Sequence, residues 1–283
     1  MPIENISDTA RWVAYYRAME MRRPDAIFRD PYAERLAGSA GESIVDTMAS
    51  GRQMAWAMIV RTKILDEIIL DAVKSRGADL VVNLAAGLDA RPWRMDLPAS
   101  LRWVDVDLPG ILNYKTQTLS AEKPVCRYEA VTMDLRDRAE RQALFAQLGR
   151  DARRALVVSE GLLVYLSPEQ VTELSADLAA TPAFRWWLFD LGNPWVLKTM
   201  KRMWGKTVTA GNAPFQFAPA EGPDYFAPQG WRPVTVRSIG IEARRLDREM
   251  KIPFVWKLLM PLMPGKVKEQ MRDATRFVLL ERT

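Results

Sequence analysis

The chain of 283 residues has no histidine and a single cysteine, Cys126. These absences exclude a disulfide framework and every Ser-His or Cys-His catalytic pair. No metal site is expected. No basic region followed by an apolar run opens the sequence, so a cytoplasmic protein is expected. The longest apolar stretch, Ile252 to Met263, is too short to span a bilayer and is interrupted by Pro253 and Pro261. No G-x-G-x-x-G occurs, which removes the usual cradle for a dinucleotide pyrophosphate. Zinc-finger, RNP-type and recognition-helix signatures are missing too, so nucleic acid is not expected as a partner.

What is present is a net charge of +5, unevenly placed. Residues 1–76 carry 11 basic and 11 acidic groups, residues 77–191 carry 13 and 16, and residues 192–283 carry 16 and 8. The C-terminal excess fits either a solvated basic face or the steering of an anionic substrate. The length suits one large α/β domain with additions.

The stretch DLVVNLAAGLDARPWRMDLPASLRWVDVDLPGILNYK, Asp79 to Lys115, organises the rest. Leu80, Val81, Val82 and Leu84 form a short apolar run suited to a strand buried on both faces. The run ends at Ala85-Ala86-Gly87, where Gly87 allows a positive φ and a close approach to the backbone. Asp89 stands where a helix would begin. A second strand over Leu101 to Val104 leads to Asp105 and Asp107, two positions apart and therefore on one face. Strand, small-residue turn, helix and acid-tipped strand make the half-unit that holds an adenosine-type ligand, the acid accepting from ribose hydroxyls. A nicotinamide-dependent oxidoreductase shares this half-unit, and a cofactor-binding protein without catalysis remains an alternative.

The string NLAAGLDARPWRM followed by WVDVDLPGILNYK resembles the leucine carboxyl methyltransferase-like family of S-adenosylmethionine-dependent O-methyltransferases, found in bacterial secondary metabolism and in phosphatase methylation. Similar stretches recur in order at SDTARWVAYYRAMEMRRPDAIFRDPYAERLAG, IVRTKILDEII, TMDLRD and VVSEGLLVYLSPEQV, so the resemblance spans residues 7 to about 175 and fades after Asp190. It implies a Rossmann-like class I methyltransferase: a seven-stranded, mostly parallel sheet with the last strand antiparallel, a helical cap over residues 1–76, and a core over 77–283. Within that core a lid insertion is expected at about 192–230.

The resemblance also implies roles. Arg61 would hold the methionine carboxylate of S-adenosylmethionine; without it, an arginine interrupting the apolar stripe of Met54, Met58, Leu65 and Ile68 or Ile69 snorkels. Asn83, Ala85, Gly87, Asp105 and Asp107 would line the cofactor, and Asp134 and Leu135 would face the adenine, although Asp134 also reads as a helix cap. Glu160 would lie beside the methionine portion at the reacting centre, and Glu160 and Tyr165 are the candidate catalytic residues. Two departures stand out: Arg11 to Tyr15 offers no lysine where the phosphatase-modifying members have one, and Ala85 replaces a frequent glycine.

Elsewhere, residues 7–37 read as helical with breaks at Pro24 and Asp30-Pro31, and residues 42–75 as one long helical periodicity. Further strands are expected over Val125 to Val131, Ala155 to Ser159, Phe184 to Asp190, Arg232 to Ile239 and Thr275 to Glu281. Ser167-Pro168-Glu169-Gln170 is a helix start with a capping box. After Asp190 no acid occurs until Glu221, and Trp195, Lys201, Arg202 and Trp204 stand among bulky and basic residues. A basic amphipathic helix here lies on a membrane or forms a lid, and the lid is the favoured expectation. Ile252 to Met263 would pack over the same mouth.

The expected reaction passes the sulfonium methyl to an oxygen of a small or medium-sized apolar, anionic acceptor, by holding the partners in line. With no histidine, an ionised carboxylate is favoured over a phenol, which benefits from a base.

Overall fold

The computed structural model describes residues 6–48, 50–210, 214–250 and 263–283. One seven-stranded sheet is built from β1 Leu80–Leu84, β2 Arg102–Asp107, β3 Arg127–Thr132, β4 Ala155–Ser159, β5 Phe184–Gly192, β6 Trp231–Ser238 and β7 Thr275–Arg282. The strand order is β3-β2-β1-β4-β5-β7-β6, with β7 antiparallel to both its neighbours and the remaining pairs parallel. Chain order reverses between β1 and β4, which opens a crevice beyond their carboxyl ends. Pro233 is tolerated because β6 is an edge strand and the register shifts between Pro233 and Thr235.

Every residue of β1 and β4 is buried, as their apolar runs predict for strands covered on both faces. Leu80, Val82, Leu84, Val104 and Val106 pack on one face with side chains of α6 (Arg138–Asp151) and α7 (Pro168–Ala179). Val81, Trp103, Leu156 and Val158 pack on the other with α3 (Ala55–Lys74). Val60, Ile64, Leu65 and Ile69 of α3 are wholly buried. At about 1.5–3 kcal/mol per buried side chain, this row rather than local helix propensity holds α3 in place. The capping box of α7 is formed as its sequence predicts: Gln170 N donates to Ser167 Oγ at 3.3 Å, and Ser167 N donates to Gln170 Oε1 at 2.9 Å.

The periodicity over 42–75 does not make one helix. α1 (Ile6–Met21) is followed by α2 (Ala33–Thr47), and the chain then turns before α3. Met48 is extended, and Gly51 packs so tightly that a Cβ there would lie 2.1 Å from the Val45 carbonyl oxygen. The Tyr16 hydroxyl donates to the Gly51 carbonyl at 2.7 Å and fastens the turn to α1. Tertiary packing thus overrides a periodicity that continues through the break. α1 and α2 share an apolar cluster with Leu88, Trp93 and Ile111, which seats them over the turn after β1.

The remaining α-helices among the described residues are the short α4 (Arg91–Arg94), α5 (Pro109–Thr118), α8 (Pro194–Ala210), α9 (Ile239–Arg245) and α10 (Gly265–Arg272). No helix among the described residues is long and apolar enough to cross a membrane. The expected apolar element from Ile252 lies outside the described residues up to position 262.

Candidate active site

A cavity of ≈ 280 Å³ opens over the carboxyl ends of β1, β2, β4 and β5. Its lining includes Arg61, Asn83, Ala85, Gly87, Asp107, Glu160 and Tyr165, all singled out from the sequence. At the β1 end, Ala85 and Gly87 take φ of 53° and 50°, so the chain makes a left-handed turn. Such a conformation is strained for alanine and needs support from its surroundings. Asp107 supplies that support. Its carboxylate accepts from Gly87 N at 2.6 Å and from Leu108 N at 2.7 Å, tying the β1 turn to the end of β2. Burial pushes the Asp107 carboxyl above its ordinary range, against the pull of those two amides.

Asp105 behaves differently. The two-residue period does put it on the face of Asp107, but one pleat deeper, where it is fully buried and does not line the cavity. It accepts from Lys115 Nζ of α5 at 2.5 Å, from Asn83 Nδ2 at 3.0 Å and from Trp103 Nε1 at 2.9 Å. Lys115 is itself wholly buried. Asp105, expected beside Asp107 as a cofactor-lining acid, is therefore the anchor of a buried ion pair, and the helix that covers β2 is what the sequence period could not show.

At the centre stands an ionic cluster. Arg61 Nε is 2.9 Å from Glu160 Oε1, and its Nη1 is 3.4 Å from Asp190 Oδ2. The Nε is buried without an aligned hydrogen bond, so the contact with Glu160 is a charge contact rather than a forked pair. Arg91 Nη1 donates to Glu160 Oε2 at 2.8 Å and to Asp89 Oδ2 at 2.7 Å. Burial by itself would raise the Glu160 carboxyl, but Arg91 and Arg61 outweigh it and hold the group below its usual range. Burial likewise opposes the Arg61 charge, and Glu160 and Asp190 outweigh it in turn. Asp190 also accepts from Gly161 N at 2.6 Å, which fixes the turn that follows Glu160.

Asp89 is not the cap residue of α4, a place held by Ala90; its Oδ1 accepts the Arg91 amide at 2.9 Å. Arg91 and Asp190 were not predicted as site residues. The available signal was position: Asp190 closes a strand, and Arg91 lies between a turn and a buried tryptophan.

Two expectations are corrected. Asp134 and Leu135 do not line this cavity. Asp134 is partly exposed and pairs with Arg136 at 2.6 Å, because a neighbouring guanidinium two residues on reaches it first. Leu135 packs on the core and borders a smaller pocket that Leu162 shares. The lid contacts also differ. α8 turns Val196, Leu197 and Met200 toward the cavity, where Phe215 and Phe217 join them. Trp195, Lys201 and Arg202 do not line it, and Lys201 and Arg202 are exposed. With 3.6 residues per turn, positions 196, 197 and 200 share one face of a helix while 198, 201 and 202 share another. The Trp204 side chain lies outside the described residues.

Tyr165 is partly buried at the junction of the two regions, its ring stacked on Phe215 with centroids 5.5 Å apart. Burial pushes its hydroxyl up to about 12, so it is a hydrogen-bond donor at neutral pH. Among the described residues no group of three or more acids or cysteines is arranged to hold a metal ion.

The model of the family described as leucine carboxyl methyltransferase matches residues 10–179, more than half of the chain. The chain belongs to the leucine carboxyl methyltransferase family. A Streptomyces coelicolor protein named as a candidate S-adenosyl-L-methionine-dependent methyltransferase is 38% identical over 175 residues, 59% of this chain and 61% of that protein. The chain thus matches under two thirds of that relative's length. Among solved structures, a DUF574 family protein from Streptomyces avermitilis superposes with a TM-score of 0.61 at 15% identity, covering 97% of both chains. A candidate methyltransferase from Thermobifida fusca gives 0.62 at 14% identity, covering 100% of this chain and 96% of that one. The fold of this leucine carboxyl methyltransferase family member is accordingly the Rossmann-like class I methyltransferase fold, as expected from the sequence. The family match covers Arg61, Asp107 and Glu160 and ends before Asp190 and α8.

Proposed function

We propose that the protein transfers a methyl group from S-adenosylmethionine to a carboxylate oxygen of a small or medium-sized, largely apolar acceptor. The observation that carries this reading is the pairing, in one cavity, of a charged floor built on the β1, β2, β4 and β5 ends with an apolar wall from Val196, Leu197, Met200, Phe215 and Phe217. The floor suits the donor: Asp107 offers its remaining lone pairs to ribose hydroxyls, and the turn at Gly87 admits a ligand close to the backbone. Arg61 carries a buried Nε without an aligned partner, a feature that fits a bound carboxylate. Glu160, ionised through the neutral range, suits the amino group of the same ligand.

The donor, when bound, supplies a methyl group already activated by a positive sulfur. The chain's residues orient and exclude water. The apolar wall keeps solvent from the acceptor, and Tyr165 donates a hydrogen bond toward it. No side chain is assigned as a base: Glu160 is held low by its arginines, Tyr165 is pushed high by burial, and histidine is absent. A carboxylate is ionised at neutral pH and needs none, whereas a phenol of pKa about 10 would. The oxygen attacks the methyl carbon, the carbon–sulfur bond breaks, and a methyl ester and S-adenosylhomocysteine leave.

Incubation with S-adenosylmethionine and a panel of apolar carboxylic acids and phenols, read by mass spectrometry, tests this. Methyl esters from the acids are expected. Methyl ethers alone, or no turnover of any acceptor, would contradict the carboxyl reading. The protein is proposed to act in the cytoplasm, on a small molecule, with α8 as lid rather than membrane contact.

A further inference from the structure

Asp66 and Arg91 have no part in the reaction as described, yet they form a buried ion pair beside the site. Arg91 is fully buried and is gripped by Asp66 at 2.7 Å, Asp89 at 2.7 Å and Glu160 at 2.8 Å. Asp66 is buried and does not line the cavity. Its two oxygens are filled by Arg91 Nε and by Arg94, whose Nη1 and Nη2 lie 2.7 Å and 2.8 Å away. Asp66 and Arg61 both belong to α3. One helix therefore reaches Glu160 twice, directly through Arg61 and indirectly through Asp66 and Arg91.

The geometry of Glu160 explains what the second route does. A free arginine–carboxylate pair prefers the forked arrangement, with both oxygens on one guanidinium. Here Arg91 holds Oε2, so Arg61 meets only Oε1, and does so without an aligned hydrogen bond. Released from Arg91, Glu160 would turn fully onto Arg61, and the two groups would satisfy each other.

We propose that Asp66 and Arg91 are a positioning pair that holds Glu160 off Arg61, so that both remain available to the amino-acid end of the donor. This rests on the donor reading given above. Asp66 then sets donor affinity without touching the donor, by fixing the group that touches Glu160.

The test compares two ligands, S-adenosylhomocysteine and 5′-methylthioadenosine, the latter lacking the amino-acid end. Binding to wild type, Asp66→Asn and Arg91→Lys is measured by calorimetry well below each melting temperature. Both variants are expected to lose roughly tenfold in S-adenosylhomocysteine affinity, a typical coupling within one ionic network, while methylthioadenosine binding changes by less than about twofold. Asp66→Asn with wild-type affinity for S-adenosylhomocysteine overturns the proposal. So does an equal loss for both ligands, which is the mark of a merely structural role. Should Arg91→Lys fail to fold, Asp66→Asn decides alone, since it preserves shape. A wild type that binds neither ligand overturns the donor reading itself, and the positioning pair with it.

Discussion

At the floor of the cavity Arg17, Arg61, Arg91 and Arg94 stand with Asp89, Asp107, Glu160 and Asp190, and the observed ion pairs join Arg61, Arg91, Asp89, Glu160 and Asp190 into one cluster. At the mouth, Val196, Leu197, Met200, Phe215 and Phe217 offer shape and no charge. The floor is organised by interactions that also hold the fold, because its groups sit at strand ends and are buried. The mouth adds a wall built outside the strands, from α8 and the segment that follows it. Changes at the floor should therefore cost stability and donor affinity together, and changes at the mouth should touch the acceptor alone.

The largest effect expected is on stability, one pleat beneath the floor. Asp105→Ala strands Lys115 as an uncompensated buried charge, and should lower the unfolding free energy by about 3–5 kcal/mol in urea melts. A loss below about 1 kcal/mol would mean that Lys115 finds another partner or water.

Arg61→Ala comes next. It should weaken S-adenosylhomocysteine binding by about 2–4 kcal/mol, and it should also lower the melting temperature of the free protein, since Glu160 and Asp190 lose their shared cation. Stability lost with affinity intact would make Arg61 a strut only. Asp107→Ala should likewise cost more donor affinity than an Asp105 variant that still folds.

At the mouth, Met200→Ala should raise the acceptor Michaelis constant roughly tenfold, the scale for losing a few methylenes from an apolar pocket, and leave S-adenosylhomocysteine affinity unchanged. A change in donor affinity would blur the division between the two ends. Lys201 and Arg202 face solvent, so alanine at both should shift acceptor kinetics by less than about 0.5 kcal/mol. A larger, salt-sensitive loss would instead identify a steering surface.

The smallest effect expected is that of pH on turnover. Glu160, held low by Arg91 and Arg61 against burial, loses its proton before neutrality, and Tyr165, pushed up to about 12 by burial, keeps its own. With a carboxylate acceptor, turnover should be flat from about pH 6 to 9; with a phenol it should rise toward the phenol's pKa of about 10. The sign for stability follows from Glu160's lowered value: its contribution is present through neutral pH and fades only in acid, as pH falls through that value.

How much of this was legible in the sequence follows the same division. β1, β4 and the turn at Gly87 were readable because buried runs and small residues announce themselves locally. Asp107, Arg61 and Glu160 were found because strand ends, the interrupted apolar stripe of α3 and the family resemblance coincide there. Asp105 was misplaced because a period of two gives the face of a strand and says nothing of the helix above it. Arg91 and Asp66 were missed because their partners lie on different elements, and only the folded chain brings them together. The mouth was misread for a simpler reason: residues 195–206 interleave bulky and basic side chains, and the helical phase decides which of them turn inward. The break at Gly51 was hidden by a periodicity that runs through it.

The most direct test of the central claim, that the charged floor is a donor site for S-adenosylmethionine and not for a dinucleotide, is a calorimetric titration of the wild-type protein with S-adenosylhomocysteine and, separately, with NADPH. Saturable binding of one S-adenosylhomocysteine per chain, with no heat from NADPH, is the predicted result. Binding of NADPH with no binding of S-adenosylhomocysteine would contradict it.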